Sequence, residues 1–259
     1  MRLAIASDLH AEFSGHRLAI PKPEADAWLL AGDIGVGMEA ILWIRKALPA
    51  GVPVFYVAGN HEFYRQRPVE VERAYMADLA AECGVTMLEN QAAEVDIAGE
   101  RLRVLGATLW TDFDLFGEDR RRESFARAQA GMSDFQLILG GDGRLRPAET
   151  RAWHLESRRF LEKALTQPFA GRTVVLTHHA PVREAARYQG MWTGLSPAFG
   201  SDLRPLVETG GADLWAFGHT HQDWDETIGR TRLVSRQGGY PGEREEAGAA
   251  PFEPLVVEL

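Results

Sequence analysis

Cysteine is almost absent from this chain. Cys83 is the only one, so no internal disulfide can form. Its place between a helix-like stretch and Gly84 fits a small buried hydrophobe better than a nucleophile. Long apolar runs are missing too. None approaches the ~20 residues of a membrane-spanning helix, so no membrane partner is expected. The opening M-R-L-A-I-A-S-D-L-H reaches a polar pair by residue 10 with no h-region or cleavage site, and a cytoplasmic protein is expected. Net positive charge is lacking as well. A formal charge of −9 disfavours non-specific contact with nucleic acid, and no stable nucleic-acid partner is expected. An anionic substrate is still compatible, because bound cations can reverse the local sign. The one dense basic run, Arg120-Arg121-Arg122, sits among Glu118, Asp119 and Glu123 and reads as a solvated helix start. No linker and no internal repeat stands out, so residues 1–259 are expected to form a single domain. Hydrophobic residues make up 45% of the chain, enough for a large core.

Strand-like and helix-like segments alternate in the first half. Arg2 to Ser7, Asp26 to Ala31 and Pro53 to Ala58 read as buried strands. Met38 to Leu48 and Pro68 to Cys83 read as helices, each stopped by a glycine. This rhythm predicts a largely parallel sheet. Ala93 to Ile97 and Arg101 to Ala107 flank Ala98-Gly99-Glu100, a hairpin signature. Residues 111 to 147 read as irregular with one short helix near Glu123 to Ala130. Pro147 to Thr166 reads as a strong helix. Strands return at Arg172 to Leu176, Asp213 to Phe217, Trp224 to Ile228, Arg232 to Ser235 and Pro254 to Glu258, with residues 237 to 251 read as a surface loop. The fold class is α/β, with two sheets packed together and flanked by helices.

The ends of the buried strands are chemically alike. They run Ser7-Asp8-Leu9-His10, Gly32-Asp33, Gly59-Asn60-His61-Glu62, Thr177-His178-His179 and Gly218-His219-Thr220-His221. Six of the eight histidines follow apolar strand-like runs. Ligands of α/β sheets bind outside the carboxyl ends of strands, so these groups can converge. Imidazole suits Zn, Fe and Mn, and carboxylates suit the harder members of that group. No cysteine takes part, which argues against a closed structural zinc site. Two metals ~3.5–4 Å apart need a bridging ligand, and a carboxylate can serve.

These five blocks, in this order, resemble the calcineurin-like metallophosphoesterase superfamily, with its D-x-H, G-D, G-N-H-[ED], H and G-H-x-H pattern. The resemblance implies a four-layer αββα sandwich with two mixed β-sheets. It implies two divalent metal ions (Mn, Fe or Zn), one on Asp8, His10 and His221, the other on Asn60, His178 and His219, with Asp33 between them. His61 would be the catalytic residue, facing the substrate and donating a proton to the leaving oxygen. The reaction implied is hydrolysis of a phosphodiester or small phosphate ester by a metal-bridging hydroxide. The protein Ser/Thr phosphatases of the superfamily carry arginines that this chain lacks. Asp33 is followed by Ile34-Gly35-Val36-Gly37, and Ala58 precedes Gly59. A site with fewer fixed cations favours a diester or small monoester, unless Arg65, Arg67 or Arg183 fills the gap. The segments Ala107 to Phe113, Met132 to Phe135, Thr177 to Pro181 and Gly238 to Pro241 fit a compact bacterial branch.

Plainer readings stand beside each block. Asp8, His10 and Asp33 taken singly are turn residues, and Asn60 alone is a helix cap. The T-H-H-A-P context favours His178 over its neighbour His179, a packing residue. His16 and His154 read as solvent or core histidines, with a phosphate-contacting face on His154 and Arg158 as the alternative. Asp112 and Asp114 read as turn residues. Tyr64 and Arg65 are either substrate contacts or surface residues. Trp28, Trp43, Trp153 and Trp215 read as core. Among functions, a phosphomonoesterase or nucleotide pyrophosphatase, a non-catalytic scaffold on the same fold, a nuclease and a lipid-precursor pyrophosphatase compete with the diesterase. The nuclease would need a basic groove, and the last an apolar, basic lid.

Overall fold

The computed structural model describes residues 1–14, 18–65 and 67–259; His16 lies outside them. In chain order the strands are β1 (Arg2–Ala6), β2 (Ala27–Leu30), β3 (Val54–Tyr56), β4 (Thr86–Met87), β5 (Gln91–Ile97), β6 (Glu100–Ala107), β7 (Leu139–Gly140) and β8 (Gly143–Arg144). They continue as β9 (Arg172–Thr177), β10 (Leu214–Phe217), β11 (Trp224–Ile228), β12 (Thr231–Ser235) and β13 (Leu255–Glu258). The helices are α1 (Ala11–Ser14), α2 (Met38–Ala47), α3 (Val69–Glu82), α4 (Arg121–Gly131), α5 (Asp134–Leu137), α6 (Pro147–Leu165), α7 (Arg204–Thr209) and α8 (Glu243–Glu246).

Among the described residues, one sheet has the order β13-β1-β2-β3-β4 and the other β11-β12-β10-β9-β6-β5. In the first, β1 to β4 are parallel and β13 is antiparallel at the edge. In the second, β6, β9, β10 and β12 are parallel, flanked by antiparallel β5 and β11. Both sheets are therefore mixed.

The period-2 alternation of a strand divides each apolar run between two layers. In the first sheet Leu3, Ile5, Leu29 and Phe55 point inward and meet Leu102, Val104, Val174, Leu176 and Val234 of the second. Their neighbours Ala4, Ala6, Trp28, Leu30 and Tyr56 point outward, onto Ile41 and Ile44 of α2 and Met76 of α3. On the far side Val175, Trp215, Phe217 and Leu233 pack on Leu161 of α6 and Val207 of α7. Each large aliphatic or aromatic side chain buried this way contributes roughly 1.5–3 kcal/mol. The result is the four-layer αββα sandwich expected from the sequence.

The short elements α1, β4 and α7 were not expected from the sequence, and two longer stretches also differ from that reading. The segment 111 to 147 adds α5 and the small β7–β8 hairpin to its expected helix. Residues 237 to 251 carry α8, and their start turns into the site described below rather than into solvent. Gly238 N and Gly239 N donate to Ser7 O and Asp8 O, a tertiary pairing that composition does not encode. Trp28, Trp43 and Trp215 are core residues, whereas Trp153 is only half-buried. Cys83 is half-buried at the end of α3.

Candidate metal centre

The carboxyl ends of β1, β2, β3, β9 and β10 meet at one place. There the backbone is forced out of its usual range. Asp8, His10, Asp33, His219 and His221 all have positive φ, between 47° and 73°. Each such non-glycine residue costs on the order of 1–2 kcal/mol, and strain of this kind persists where surrounding structure over-determines it. Gly32 shows how close the turns run. A Cβ there would lie 2.6 Å from both Gly59 N and His178 Nδ1. Glu62 ties these turns together from beneath. Its buried carboxylate accepts hydrogen bonds from Gly59 N at 2.7 Å, Ile34 N at 2.9 Å, Asp33 N at 3.1 Å and the Tyr56 hydroxyl at 2.7 Å.

Asp8, His10, Asp33, Asn60, His61, His178 and His219 are all buried, and their polar atoms gather in two adjoining groups. In one, His10 Nε2 faces His221 Nε2 at 3.0 Å, and Asp8 Oδ1 lies 3.6 Å from His221 Nε2. In the other, His178 Nε2 faces Asn60 Oδ1 at 3.0 Å and His219 Nδ1 at 3.2 Å. Asp33 stands between them, with Oδ2 4.0 Å from His10 Nε2 and Oδ1 3.5 Å from His178 Nε2. Asp8-His10-His221 and Asp33-His178-His219 each bring their ligand atoms within 4.8 Å of one another, the spacing needed to hold a cation; His10-Asp33-His61 does the same.

The protons show that these residues fit a metal. His10 Nδ1 donates to Glu12 Oε1 at 3.2 Å, and His221 Nδ1 donates to Glu243 Oε2 at 2.5 Å. Their two Nε2 lone pairs therefore point at each other. His178 Nδ1 donates to Ala31 O at 2.7 Å, and Asn60 Nδ2 donates to Asp134 Oδ1 at 2.7 Å. This leaves a nitrogen lone pair facing a carbonyl oxygen. Buried acceptors in mutual contact are unfavourable unless a donor or cation lies between them.

Electrostatics agree. Burial holds His10 down at about 3 and drives His178 and His219 well below their usual value, so all three are neutral, as metal ligation requires. Burial raises the Asp8 carboxyl to about 6, against the pull of His221. Burial, with Glu62 and Asp8 nearby, holds Asp33 well above the carboxylate range. Nearby cations would reverse both shifts. The sign for pH follows. Below about pH 6 the metal-free protein keeps a proton on Asp8, and that proton competes with a cation. Metal content after dialysis is expected to fall as the pH is lowered, because protonation of Asp8 competes with a cation. Retention that does not change with pH at all would count against a cation contact by Asp8.

His61 differs from the others. Its Nδ1 donates to Glu12 Oε1 at 2.9 Å, its backbone N donates to Asp33 Oδ1 at 2.9 Å, and its ring stacks on Tyr64 at 4.3 Å. The Tyr240 hydroxyl donates to His61 Nε2 at 2.9 Å. Sequence reasoning missed Glu12, Asp134, Tyr188, Tyr240 and Glu243. Burial pushes Glu12 up, but hydrogen bonds from His10 and His61 outweigh it and hold the carboxyl at about 2. Glu243 reaches about 2 in the same way, through His221 and the Tyr188 hydroxyl, which donates to it at 2.8 Å. A signal for Glu12 existed: it lies two residues after His10. Asp134 and Glu243 arrive on α5 and α8, far away in sequence; Asp134 lay in the marked segment Met132 to Phe135, and Glu243 had no signal.

A cavity of about 300 Å³ opens over this centre, walled by Tyr64, Met132, Tyr188, Leu195, Phe199 and Tyr240. Among the described residues no Lys or Arg lines it. Arg65 pairs with Glu39 and Arg67 with Glu72, while Arg183 donates to Leu115 O, so none replaces the missing arginines. His154 is fully buried and donates to Leu109 O, which removes it as a phosphate contact; Arg158 pairs with Glu162 instead. His179 is buried too, with Nδ1 bonded to Thr108 O. Asp112 accepts from Ser201 and Asp114 pairs with Arg121, as turn residues do.

A two-sheet α/β sandwich with a buried His/Asp cluster at its strand ends is the architecture of a metal-binding hydrolase. The chain belongs to the calcineurin-like phosphoesterase family, whose model matches residues 1–223. It is 25% identical over 272 residues to an uncharacterized protein of Acanthamoeba polyphaga mimivirus, covering 93% of this chain and 92% of that one. Among solved structures it is similar to the phosphopantetheinyl hydrolase of Mycobacterium tuberculosis, with a TM-score of 0.75 at 19% identity over 98% of this chain and 95% of the other. Among the described residues no helix is long and apolar enough to cross a membrane.

Proposed function

We propose that this protein is a dinuclear metal-dependent phosphoesterase that prefers phosphodiesters. The observation that carries the proposal is Asp33, whose two carboxylate oxygens face two different groups of buried acceptors. Asp8, His10 and His221 would hold one Mn, Fe or Zn ion, Asn60, His178 and His219 the other, and Asp33 both. The cations, when bound, would activate a water and neutralise phosphoryl charge.

The protein's own residues set up the rest. Glu12 and Glu243 fix the tautomers of His10, His61 and His221, so that each Nε2 faces the centre. With Nδ1 anchored on Glu12, His61 has only Nε2 left to carry a proton to the leaving oxygen. The Tyr240 hydroxyl covers that nitrogen, and an arriving ester would displace it. Met132, Leu195 and Phe199 offer an apolar wall to one ester arm and exclude water from it. A monoester dianion would want fixed cations beside the metals, and the described lining has none. This favours a diester over a monoester or nucleotide pyrophosphate. The complete set of acceptors argues against a non-catalytic scaffold.

Metal-stripped protein reloaded with Mn²⁺ is expected to hydrolyse an aryl phosphodiester faster than the matching monoester. Turnover of the monoester alone would overturn the diester preference. No turnover of either, with two metals bound, would leave the scaffold reading.

A further inference from the structure

Tyr240 stands over the centre on a backbone pinned at three points. Gly238 N and Gly239 N donate to Ser7 O and Asp8 O, and Tyr240 N donates to Glu243 Oε2 at 2.8 Å. Its ring is wedged among the imidazoles, with centroids 4.4 Å from His10, 4.7 Å from His221 and 5.7 Å from His61. Phe13 packs edge-on against it at 5.3 Å. The hydroxyl is thereby delivered to His61 Nε2 at 2.9 Å, the atom assigned above to the leaving oxygen.

Three tyrosines line the cavity, and their hydroxyls are not equivalent. Tyr64 donates to Asp134 Oδ1 at 2.6 Å, and Tyr188 donates to Glu243 Oε1 at 2.8 Å. Both acceptors are carboxylates outside the reaction, so these two donors stay occupied. Asn60 Nδ2 is held by Asp134 in the same way. Ser133, the other hydroxyl of the lining, belongs to an exposed residue. Tyr240 differs because it donates to an atom that the reaction needs for itself. When the leaving oxygen takes up His61 Nε2, the Tyr240 hydroxyl loses its acceptor beside the centre. A desolvated donor without an acceptor is unfavourable, and the oxygens nearest to hand are then those of the phosphoryl group.

We propose that Tyr240 is a further catalytic residue: displaced from His61 by the ester, its hydroxyl donates to a non-bridging phosphoryl oxygen and stabilises the charge that grows there in the transition state. The proposal rests on the phosphoesterase reading and gives that site a donor in place of the arginines it lacks. The protons balance. The oxygen of the attacking water bonds to phosphorus as the bond to the leaving oxygen breaks. His61 Nε2 gives its proton to the leaving oxygen and regains one from that water, while Tyr240 keeps its own throughout. Among the described residues the cavity lining has no cationic side chain. A hydroxyl adds a donor there without adding charge, which suits the single negative charge of a diester better than the double charge of a monoester. Its pinned backbone and wedged ring hold the donor in place before the charge develops, so little reorganisation is needed.

The test is Tyr240→Phe in the Mn²⁺-loaded protein, which removes one oxygen and keeps the ring. Both metals should stay. Turnover of methyl 4-nitrophenyl phosphate should fall by roughly 10²-fold, as when an oxyanion donor is removed, and turnover of methyl phenyl phosphate by the same factor. A loss that grows with the basicity of the leaving group, as expected for His61→Ala, would mean that Tyr240 acts only by positioning His61, and overturns the proposal. A faster rate, which would make the hydroxyl no more than a cover for Nε2, overturns it too, and so does an unchanged one. Replacing a non-bridging oxygen by sulfur, a weaker acceptor, should slow one diastereomer of the ester less in the variant than in the native protein. Calorimetric titration with orthovanadate reads the contact without turnover. Its Kd should rise roughly tenfold in Tyr240→Phe, and an unmoved Kd overturns the contact. If the native protein cleaves neither ester while its vanadate affinity still depends on Tyr240, it is ester hydrolysis that fails and not the phosphoryl contact.

Discussion

Asp33→Asn is expected to leave a folded protein that has lost its activity. The substituted side chain keeps an oxygen for the hydrogen bond from His61 N, which spans 2.9 Å in the native protein. It also removes a carboxyl that burial, Glu62 and Asp8 together disfavour as a charge, so the metal-free fold has no reason to weaken. What disappears is the one anionic group facing both acceptor clusters. Metal content should fall from two ions per chain to one or none, and turnover should drop by roughly 10³-fold or more, on the order of 4 kcal/mol in the barrier. Metal analysis and an aryl diester assay read these together. Two retained ions with a normal rate would show that Asp33 does not link the two halves of the centre.

His61→Ala should behave in the opposite way. Its ring holds Tyr240 and Tyr64 and shares Glu12, but Glu12 still accepts from His10, and the tautomers of His178 and His221 are set elsewhere. Both metals should therefore stay. The rate should fall by roughly 10²–10⁴, the usual worth of a general acid, or about 3–5 kcal/mol. The loss should grow with the basicity of the leaving group, because a nitrophenolate departs without a proton and an alkoxide does not. Glu12→Gln should reproduce part of this pattern, with a loss of roughly 10–100-fold, since it removes the anion that orients both His10 and His61. A uniform loss across leaving groups would assign His61 to position rather than to proton transfer.

The same residues explain what could be read from the chain alone. Asp8-Leu9-His10, Gly32-Asp33, Asn60-His61, His178 and Gly218-His219-Thr220-His221 are each local, each set at the end of an apolar run, and the fold gathers them in one place. Period-2 and period-3.6 patterning marked the main strands and helices within a residue or two. β4 escaped because two residues carry no periodicity; it exists only through pairing with β3.

Tertiary structure decided what supports the centre. Asp134 reaches Asn60 across 74 residues, and Tyr240 reaches His61 across 179. Residues 237 to 251 have the composition of a surface loop, yet Gly238 and Gly239 pair with the backbone at Ser7 and Asp8 and carry Tyr240 and Glu243 into the site. The missing arginines were visible as absences, but only the fold shows that Arg65 and Arg67 are spent on glutamates and that Arg183 lies over the Trp192 ring and donates to Leu115 O. The chain by itself determined the layers and the metal-seeking groups, because burial periodicity and strand-end chemistry are local properties. The orientation of each imidazole was decided by the folded structure, because a histidine's tautomer depends on which distant oxygen accepts its proton.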